Sequence, residues 1–511
     1  VNVALTFFVL FLAGTFALAV LAARRAGKAA EFYAAGHNVG GVQNGLALAG
    51  DFVSAASFLG VTGVVYAAGF EGLLLPIGVL TGWPLMLMLF ADRMRNLGRY
   101  TFVDVLAYRL QGTGIRVAAA VSALCINVMY AVAQLVGAGK LLSLLLGVGY
   151  VPALVVITGF MALYVVMGGM LVTTWIQILK ASLLLIGSAV LAVLIMARFG
   201  FSPDALFASA VDIHPKHDAI LKPGLSYFSD PLSGISLSLA LVFGAMGMPH
   251  VVMRFFTAPT AREARGAVFW ATVFMAAFYV LLIVIGYGAV ALVLADPAVQ
   301  ALGGMPAGGT NMVVMHLTRL AGGEAFFGFM AAVSFATILA VVSGLAISGA
   351  ATLSHDLARI VAPRLVASER DEIMVSRIGA VLVSAVALAL SILFENQNIA
   401  FLGALALGTA AAANVPVLFM ALYWRGLTPR GAAWGIATGL VLSFVLIAIG
   451  PVVMVEALGM KRALIGIANP TLLAMFGTVV VAWGLSVTDR SGAAAAARAG
   501  FAAQELASER G

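Results

Sequence analysis

The feature that most constrains this chain is a series of apolar runs, each about 18 residues or longer, that recurs from one end to the other. A helix of that length crosses the hydrocarbon of a bilayer. Inside hydrocarbon every backbone N–H and C=O must be bonded within the chain, so the runs read as membrane helices. Counting them gives about thirteen spans, near 2–23, 43–68, 72–91, 116–145, 150–168, 170–198, 233–250, 267–295, 325–353, 376–394, 398–423, 432–458 and 468–487. The composition agrees: 63% of the residues are hydrophobic and 10% charged, against roughly 45–50% and 25% in soluble chains. The 56 glycines suit helices whose backbones approach closely.

A net charge of +7 does not point to nucleic acid, because the basic residues sit between apolar runs and favour one side. One set of loops and the tail carry roughly twenty Lys and Arg, and the opposite loops roughly six, which assigns the first set to the cytoplasm. The expected location is a bacterial-type inner membrane, crossed many times, with the N-terminus outside and the C-terminus cytoplasmic. Cys125, the single cysteine, excludes an internal disulfide and reads as a packing residue. Segment 2–23 is followed directly by Arg24 and Arg25. A signal peptide carries its positive charge before the apolar stretch, so this reads as a retained helix. The chain starts at Val1, which leaves a processed start open.

Two spans carry interruptions. Gly50, Asp51, Ser54, Ser57, Gly60 and Thr62 stand inside the run 46–63, and Ser236, Ser238, Gly244, Gly247 and Pro249 inside 233–249. Exposed backbone at membrane depth survives only where it lines a cavity. A pair of broken helices in corresponding halves is the sequence pointer to an inverted-repeat transporter; tight glycine packing is the plainer alternative. The expected organisation is a peripheral N-terminal helix and loop (1–42), a first repeat (43–198), an extracytoplasmic loop (199–232) and a second repeat (233–423). Two peripheral helices (424–487) and a cytoplasmic tail (488–511), helical or disordered, complete it. The loops 199–232 and 296–322 read as surface segments rich in Pro, Gly and Asp.

The stretch EFYAAGHNVGGVQNGLALAGDFVSAASFLG (31–60) resembles the solute:sodium symporter family, and within it the cation/acetate permeases. The resemblance continues through GRYTFVDVLAYRL (98–110), GGMLVTTWIQILK (168–180), GMPHVVMRFFT (247–257), SFATILAVVSGLAISGA (334–350), FENQNIAF (394–401) and YWRGLTPRGA (423–432). It implies an all-α polytopic membrane protein of about thirteen helices, with a five-plus-five inverted repeat of the LeuT type broken in spans 2 and 7. It also implies a small monocarboxylate substrate. Carried over residue by residue, it implies a cation site made by the backbone carbonyls of Gly50, Val53 and Ala340 and the hydroxyl of Ser343, with sodium as the ion. Two positions depart from the family pattern: Gly344 stands where a second hydroxyl is usual, and Trp175 is followed by Ile176 and Gln177 rather than an Asp. Asp51, Ser54 or a water would fill the missing place, or a proton replaces sodium. Ser57 stands where sugar-transporting relatives place a substrate-binding glutamine, and its size suits a smaller solute.

Other candidates come from the residues themselves. Asp51 is a carboxylate at helix depth, which costs on the order of 2.5–3.5 kcal/mol and usually marks an ion or proton pathway; it meets a cation, binds a proton, or caps freed N–H groups. Tyr130 and Gln134 lie one helical turn apart, placed to donate to a carboxylate or to glue helices. Phe243 and Met246, with Met248, are candidates to pack a methyl group. Lys180 reads as a charge-pair or snorkelling lysine. His250 follows Pro249 at an expected cytoplasmic helix end, where it is a gating or dipole-facing cation. Arg254 reads as a gate ion pair or a positive-inside anchor. Lys140 reads as snorkelling to water, and His214 and His217 as residues of a solvated loop.

The function these readings imply is cation-coupled symport of acetate or a similar short monocarboxylate by alternating access. Pyruvate, lactate, propionate and proline are alternative solutes, and a symporter-like membrane sensor is a competing class. No nucleophile–base pair or metal cluster is evident, so an enzyme is not expected. No cofactor, nucleic acid or obligate protein partner is expected beyond Na+ or H+, the solute and the bilayer.

Overall fold

The computed structural model describes residues 39–167, 170–225 and 231–509, with residues 3, 5–10, 13, 14 and 17 near the N-terminus. The expected span 2–23 and most of segment 1–42 therefore lie outside the described residues. Among those described there is helix but no strand. Ten helices are long and apolar enough to cross a membrane, and a bent pair makes an eleventh.

In chain order the helices are α1 (Gly41–Phe52), α2 (Thr62–Ala68), α3 (Phe70–Leu89), α4 (Ala91–Leu97), α5 (Phe102–Ala107), α6 (Thr113–Leu146), α7 (Tyr150–Met167) and α8 (Met170–Arg198). Then follow α9 (Pro203–Ile213), α10 (Pro231–Gly247), α11 (Pro249–Met253), α12 (Ala261–Val293), α13 (Val313–Ala351), α14 (Glu369–Leu393), α15 (Ile399–Ala413) and α16 (Val415–Tyr423). The chain ends with α17 (Pro429–Ala448), α18 (Thr471–Thr488), α19 (Gly492–Ala499) and α20 (Phe501–Glu509). Several helices start on a side-chain cap that satisfies orphan N–H groups: Thr260 on Glu263, Ser368 on Asp371, Asn398 on Ala400 and Phe401, and Thr428 on Gly431. Within α13, Gly323 takes φ 74° and ψ −173°, a conformation that glycine alone adopts without strain; it kinks the helix, and the apolar span proper starts after it.

Burial separates an inner ring of helices from an outer one. The spans 399–423 and 310–361 are 89% and 83% buried across their most apolar windows, whereas 471–488 and 370–393 are only 28% and 33% buried. The two backbone breaks are also shielded from lipid, as their freed groups require: the span 231–257 is 72% buried, and Phe52, Val53 and Ser54 at the other break are buried.

The first break has a defined geometry. Val53 takes φ −74° and ψ 73°, and the Ser54 N–H, which an unbroken helix would send to the Gly50 carbonyl, bonds the Phe52 carbonyl at 2.8 Å. This is an inverse γ-turn. A π-helical turn, Ala56–Val61, follows it, and the two halves of the span meet at 51°. The second break follows from Pro249. Proline excludes its predecessor from the α region, and Met248 takes φ −75° and ψ 117°. Pro249 then occupies the first turn of α11, where its missing N–H costs nothing. The Asn414 amide, between α15 and α16, donates to the Gly247 carbonyl at 2.9 Å and is itself held by the Ser122 hydroxyl at 2.8 Å.

Four expectations need correction, and the tail takes the helical one of its two expected forms. The seventh span does not end at 250: after the break it continues through α11 and a 3-10 turn to Thr257. The loops 199–232 and 296–322 are partly helical, holding α9 and the start of α13. His214 is buried, its Nδ1 accepting from the Lys216 N–H, because α9 folds back over the bundle. Lys140 pairs with Glu395 at 2.7 Å and sits 5.1 Å from the Tyr150 ring centre, instead of reaching to water alone. The tail 492–509 is helical and docks: the buried Arg109 guanidinium donates to the Ala421 and Ala497 carbonyls and to Gln504.

Candidate functional site

The first break points its polar residues inward. Asp51, in the last turn of α1, is 2% exposed and pairs with Arg254, which is 1% exposed, at 2.8 Å between Oδ2 and Nε. Arg254 Nη2 also lies 3.5 Å from Asp51 Oδ1, and Nη1 donates to the Thr174 hydroxyl at 2.6 Å. The Gln177 amide donates to Asp51 Oδ1. Asn44 locks the second broken span to α1: its amide donates to the Arg254 carbonyl at 2.9 Å, and its oxygen accepts from the Thr257 hydroxyl at 3.1 Å. A charge at membrane depth survives when paired and hydrogen-bonded, and this pair ties the first break to the 3-10 turn that ends the second broken span.

Lys180 lies in the same neighbourhood on α8, 1% exposed, and donates to the Thr337 carbonyl of α13 at 3.0 Å. His250 is buried, not at a helix end facing water: it follows the break and its ring stacks on Tyr130, centres 5.5 Å apart. Neither imidazole nitrogen has a hydrogen-bond partner among the described residues. The expected position of His250 is corrected because Pro249 starts a new helix here instead of ending one.

The cation candidates fall on two packed elements. Gly50 and Val53 flank Asp51 at the end of α1, and Ala340 and Ser343 lie on α13, which contacts both α1 and the π turn. Gly50 presents its Cα to α8, where a Cβ would stand 2.8 Å from the Gln177 carbonyl oxygen. The Ser343 hydroxyl donates to the Leu339 carbonyl at 2.7 Å, leaving its oxygen lone pairs as acceptors. Gly344 faces Asp51: a Cβ there would lie 3.9 Å from Asp51 Oδ1.

A small cavity of ≈ 40 Å³ opens beside the π turn, lined by Phe52, Ala56, Ser57, Tyr130 and Tyr279, with Ala400 and Gly403 across from them. The Ser57 hydroxyl bonds the Phe52 carbonyl at 2.6 Å, and Tyr279 bonds Ser57. Ser54 stands behind this wall, its oxygen 3.4 Å from the Tyr130 hydroxyl and 3.4 Å from the Gln134 amide nitrogen. Of the substrate candidates, Ser57 and Tyr130 line the cavity, and Ser54 and Gln134 back it. Met246 is buried outside its lining. Phe243 instead lines a separate groove with Pro231 and Val242.

Gln177, Thr174, Asn44 and Tyr279 are polar neighbours that the sequence does not single out. Gln177 carries the one available signal, as the residue two after Trp175 where the family pattern has an acid nearby.

Two solved structures share this architecture. A Na+-coupled sialic acid symporter, captured substrate-bound and outward-open, superposes with a TM-score of 0.75 at 16% identity, covering 95% of this chain and 98% of its own. A manganese transporter of Eremococcus coleocola gives a TM-score of 0.50 at 15% identity, covering 90% and 95%. At these identities the likeness shows the fold: a LeuT-type bundle with its broken helices in the buried spans. The similar proteins are transporters and not enzymes. The family model of the sodium:solute symporters matches residues 32–439, and the chain belongs to that family.

Proposed function

We propose that this protein couples the inward movement of a cation to the uptake of acetate or a similar short-chain monocarboxylate. The ≈ 40 Å³ cavity beside the first break carries this reading. It has room for a few waters, which suits a solute of a few heavy atoms. The Tyr130 hydroxyl supplies a donor for a carboxylate, while the Ser57 and Tyr279 hydroxyls are engaged with the Phe52 carbonyl and with each other; Phe52, Ala56 and Ala400 supply an apolar wall for a short tail.

The cation binds between α1 and α13, at the carbonyls of Gly50, Val53 and Ala340 and the hydroxyl of Ser343. Sodium fits these hard oxygen donors. A proton is the alternative, because Gly344 offers no oxygen and Asp51 is already engaged by Arg254. Ion binding steadies the γ-turn at Val53 and so orders the adjacent anion cavity; by linkage each ligand raises the affinity of the other by the same factor. Parting of the Asp51–Arg254 pair frees the two breaks to separate, and the solute exits on the cytoplasmic side. His250, with Tyr130 stacked on it, and Lys180 act as gating groups on this path. Pyruvate, lactate, propionate and proline remain alternative solutes.

The test is uptake of labelled acetate into proteoliposomes under a sodium gradient alone and a pH gradient alone. Protein-free vesicles correct for passive entry of acetic acid. One of the gradients drives accumulation above equilibrium, and unlabelled propionate competes better than proline. Accumulation under neither gradient sinks the reading.

A further inference from the structure

A second cluster of ionisable groups lies away from the cavity, where α13 ends in the π-helical turn Thr352–Ala358. We propose that Asp104, His355 and Asp356 form a binding site for a divalent transition-metal ion of the zinc type. One ligand atom from each falls within 4.8 Å of the others.

The surroundings of each group are those a metal ligand needs. Asp104 Oδ2 accepts from the backbone N–H groups of Tyr100 and Thr101, at 2.9 and 3.2 Å, which fixes the carboxylate and turns Oδ1 towards His355. His355 Nε2 is 3.5 Å from that Oδ1. This is long for a hydrogen bond but close to the edge, about 3.4 Å, between two ligands held about 2.1 Å from a tetrahedral ion. The other ring nitrogen, Nδ1, lies 3.1 Å from Glu372 Oε1, and Glu372 is held in turn by Arg359 at 2.9 Å. A carboxylate behind a histidine in this way fixes the tautomer that leaves Nε2 free to ligate. Asp356 is 1% exposed; its Oδ1 accepts from the Thr101 hydroxyl at 3.3 Å, while the buried Oδ2 has no partner among the described residues.

Charge balance points the same way. Three carboxylates, from Asp104, Asp356 and Glu372, face the imidazole and Arg359, with Arg116 also acting on Asp356. With the imidazole neutral, the carboxylates still outnumber the two guanidinium groups, so the cluster favours a cation. Mixed imidazole and carboxylate donors suit zinc, cobalt or manganese rather than calcium or magnesium. The ion would tie the end of α13, the helix that carries Ala340 and Ser343, to α5. A protonated His355 bridging the carboxylates without metal is the competing arrangement.

The test uses full-length, tag-free protein in detergent, stripped with chelator and titrated with Zn2+ by calorimetry and with Co2+ by visible absorption. The proposal expects one Zn2+ per chain and a Co2+ spectrum showing ligation. Asp356→Asn and His355→Gln each weaken binding at least tenfold, while His316→Gln, outside the cluster, leaves it unchanged. His355→Cys keeps a site but shifts its preference to Cd2+, with the absorption of a cadmium–thiolate bond. No stoichiometric binding to the wild type, or binding that survives both Asp356→Asn and His355→Gln, overturns the proposal. A variant that fails to fold leaves the wild-type titration and the His355→Cys shift to decide.

Discussion

Neutralising either half of the Asp51–Arg254 pair leaves the other charge buried without its counter-ion. Both side chains are at most 2% exposed and meet at 2.8 Å, so water cannot reach in to replace the missing partner. Breaking a buried pair by removing one member costs about 3–5 kcal/mol. For a chain this long that lowers the thermal midpoint by on the order of 5 °C, extending the size trend of smaller domains. In Asp51→Asn, Arg254 keeps the Thr174 hydroxyl but loses its carboxylate; in Arg254→Gln, Asp51 keeps the Gln177 amide and the more distant Lys180 but loses its direct ion pair. The double variant Asp51→Asn/Arg254→Gln removes both charges at once and loses clearly less than the sum of the singles, with a coupling on the order of 2 kcal/mol. The assay is a thermal unfolding scan of detergent-purified protein for all four members of the cycle, run beside uptake. Coupled uptake is lost in both singles and is not restored in the double, because stability returns without the switching pair. Singles within about 1 °C of wild type, or a double that loses the full sum, refute the reasoning.

Two further variants probe the supports of the site. Asn414→Ala leaves the Gly247 carbonyl unbonded at the second break; the expected loss is about 1–3 kcal/mol, read as a lower thermal midpoint with uptake reduced in parallel. Arg109→Ala removes the donors that hold Ala421, Ala497 and Gln504. Amide exchange across 492–509 should rise at least tenfold, while exchange across α1 and α13 stays at the wild-type level.

Much of the fold is legible in the sequence because the bilayer leaves few choices. Spans read from run length alone, such as 170–198 and 150–168, match α8 and α7 within a residue at either end. The glycines and Asp51 flag the first break, since polar residues at that depth need a reason to be there. The kind of break is not legible: a γ-turn at Val53 depends on which carbonyl Ser54 meets, and no residue type encodes that alone. Pairings are also hidden. Asp51 and Arg254 are 203 positions apart and Asp51 and Gln177 are 126 apart, so the single chain marks Asp51 and Arg254 as candidates without joining them. His250 is misplaced by the sequence because a proline reads equally well as the end of one helix or the first turn of the next. The cluster of Asp104, His355 and Glu372 escapes notice for the same reason as the pairings: its members come from three separate segments that only the packed bundle brings together.

The most direct test of the account fills the cavity. Gly403 faces Ala56 and Tyr130, where an added Cβ would sit at 3.4 Å from each, so Gly403→Ala is tolerated and Gly403→Leu pushes a branched side chain into the ≈ 40 Å³ space. Gradient-driven uptake of labelled acetate by Gly403→Ala near the wild-type rate, with uptake by folded Gly403→Leu reduced at least a hundredfold, is the predicted result. Wild-type uptake by Gly403→Leu would contradict the claim that the solute binds beside the first break.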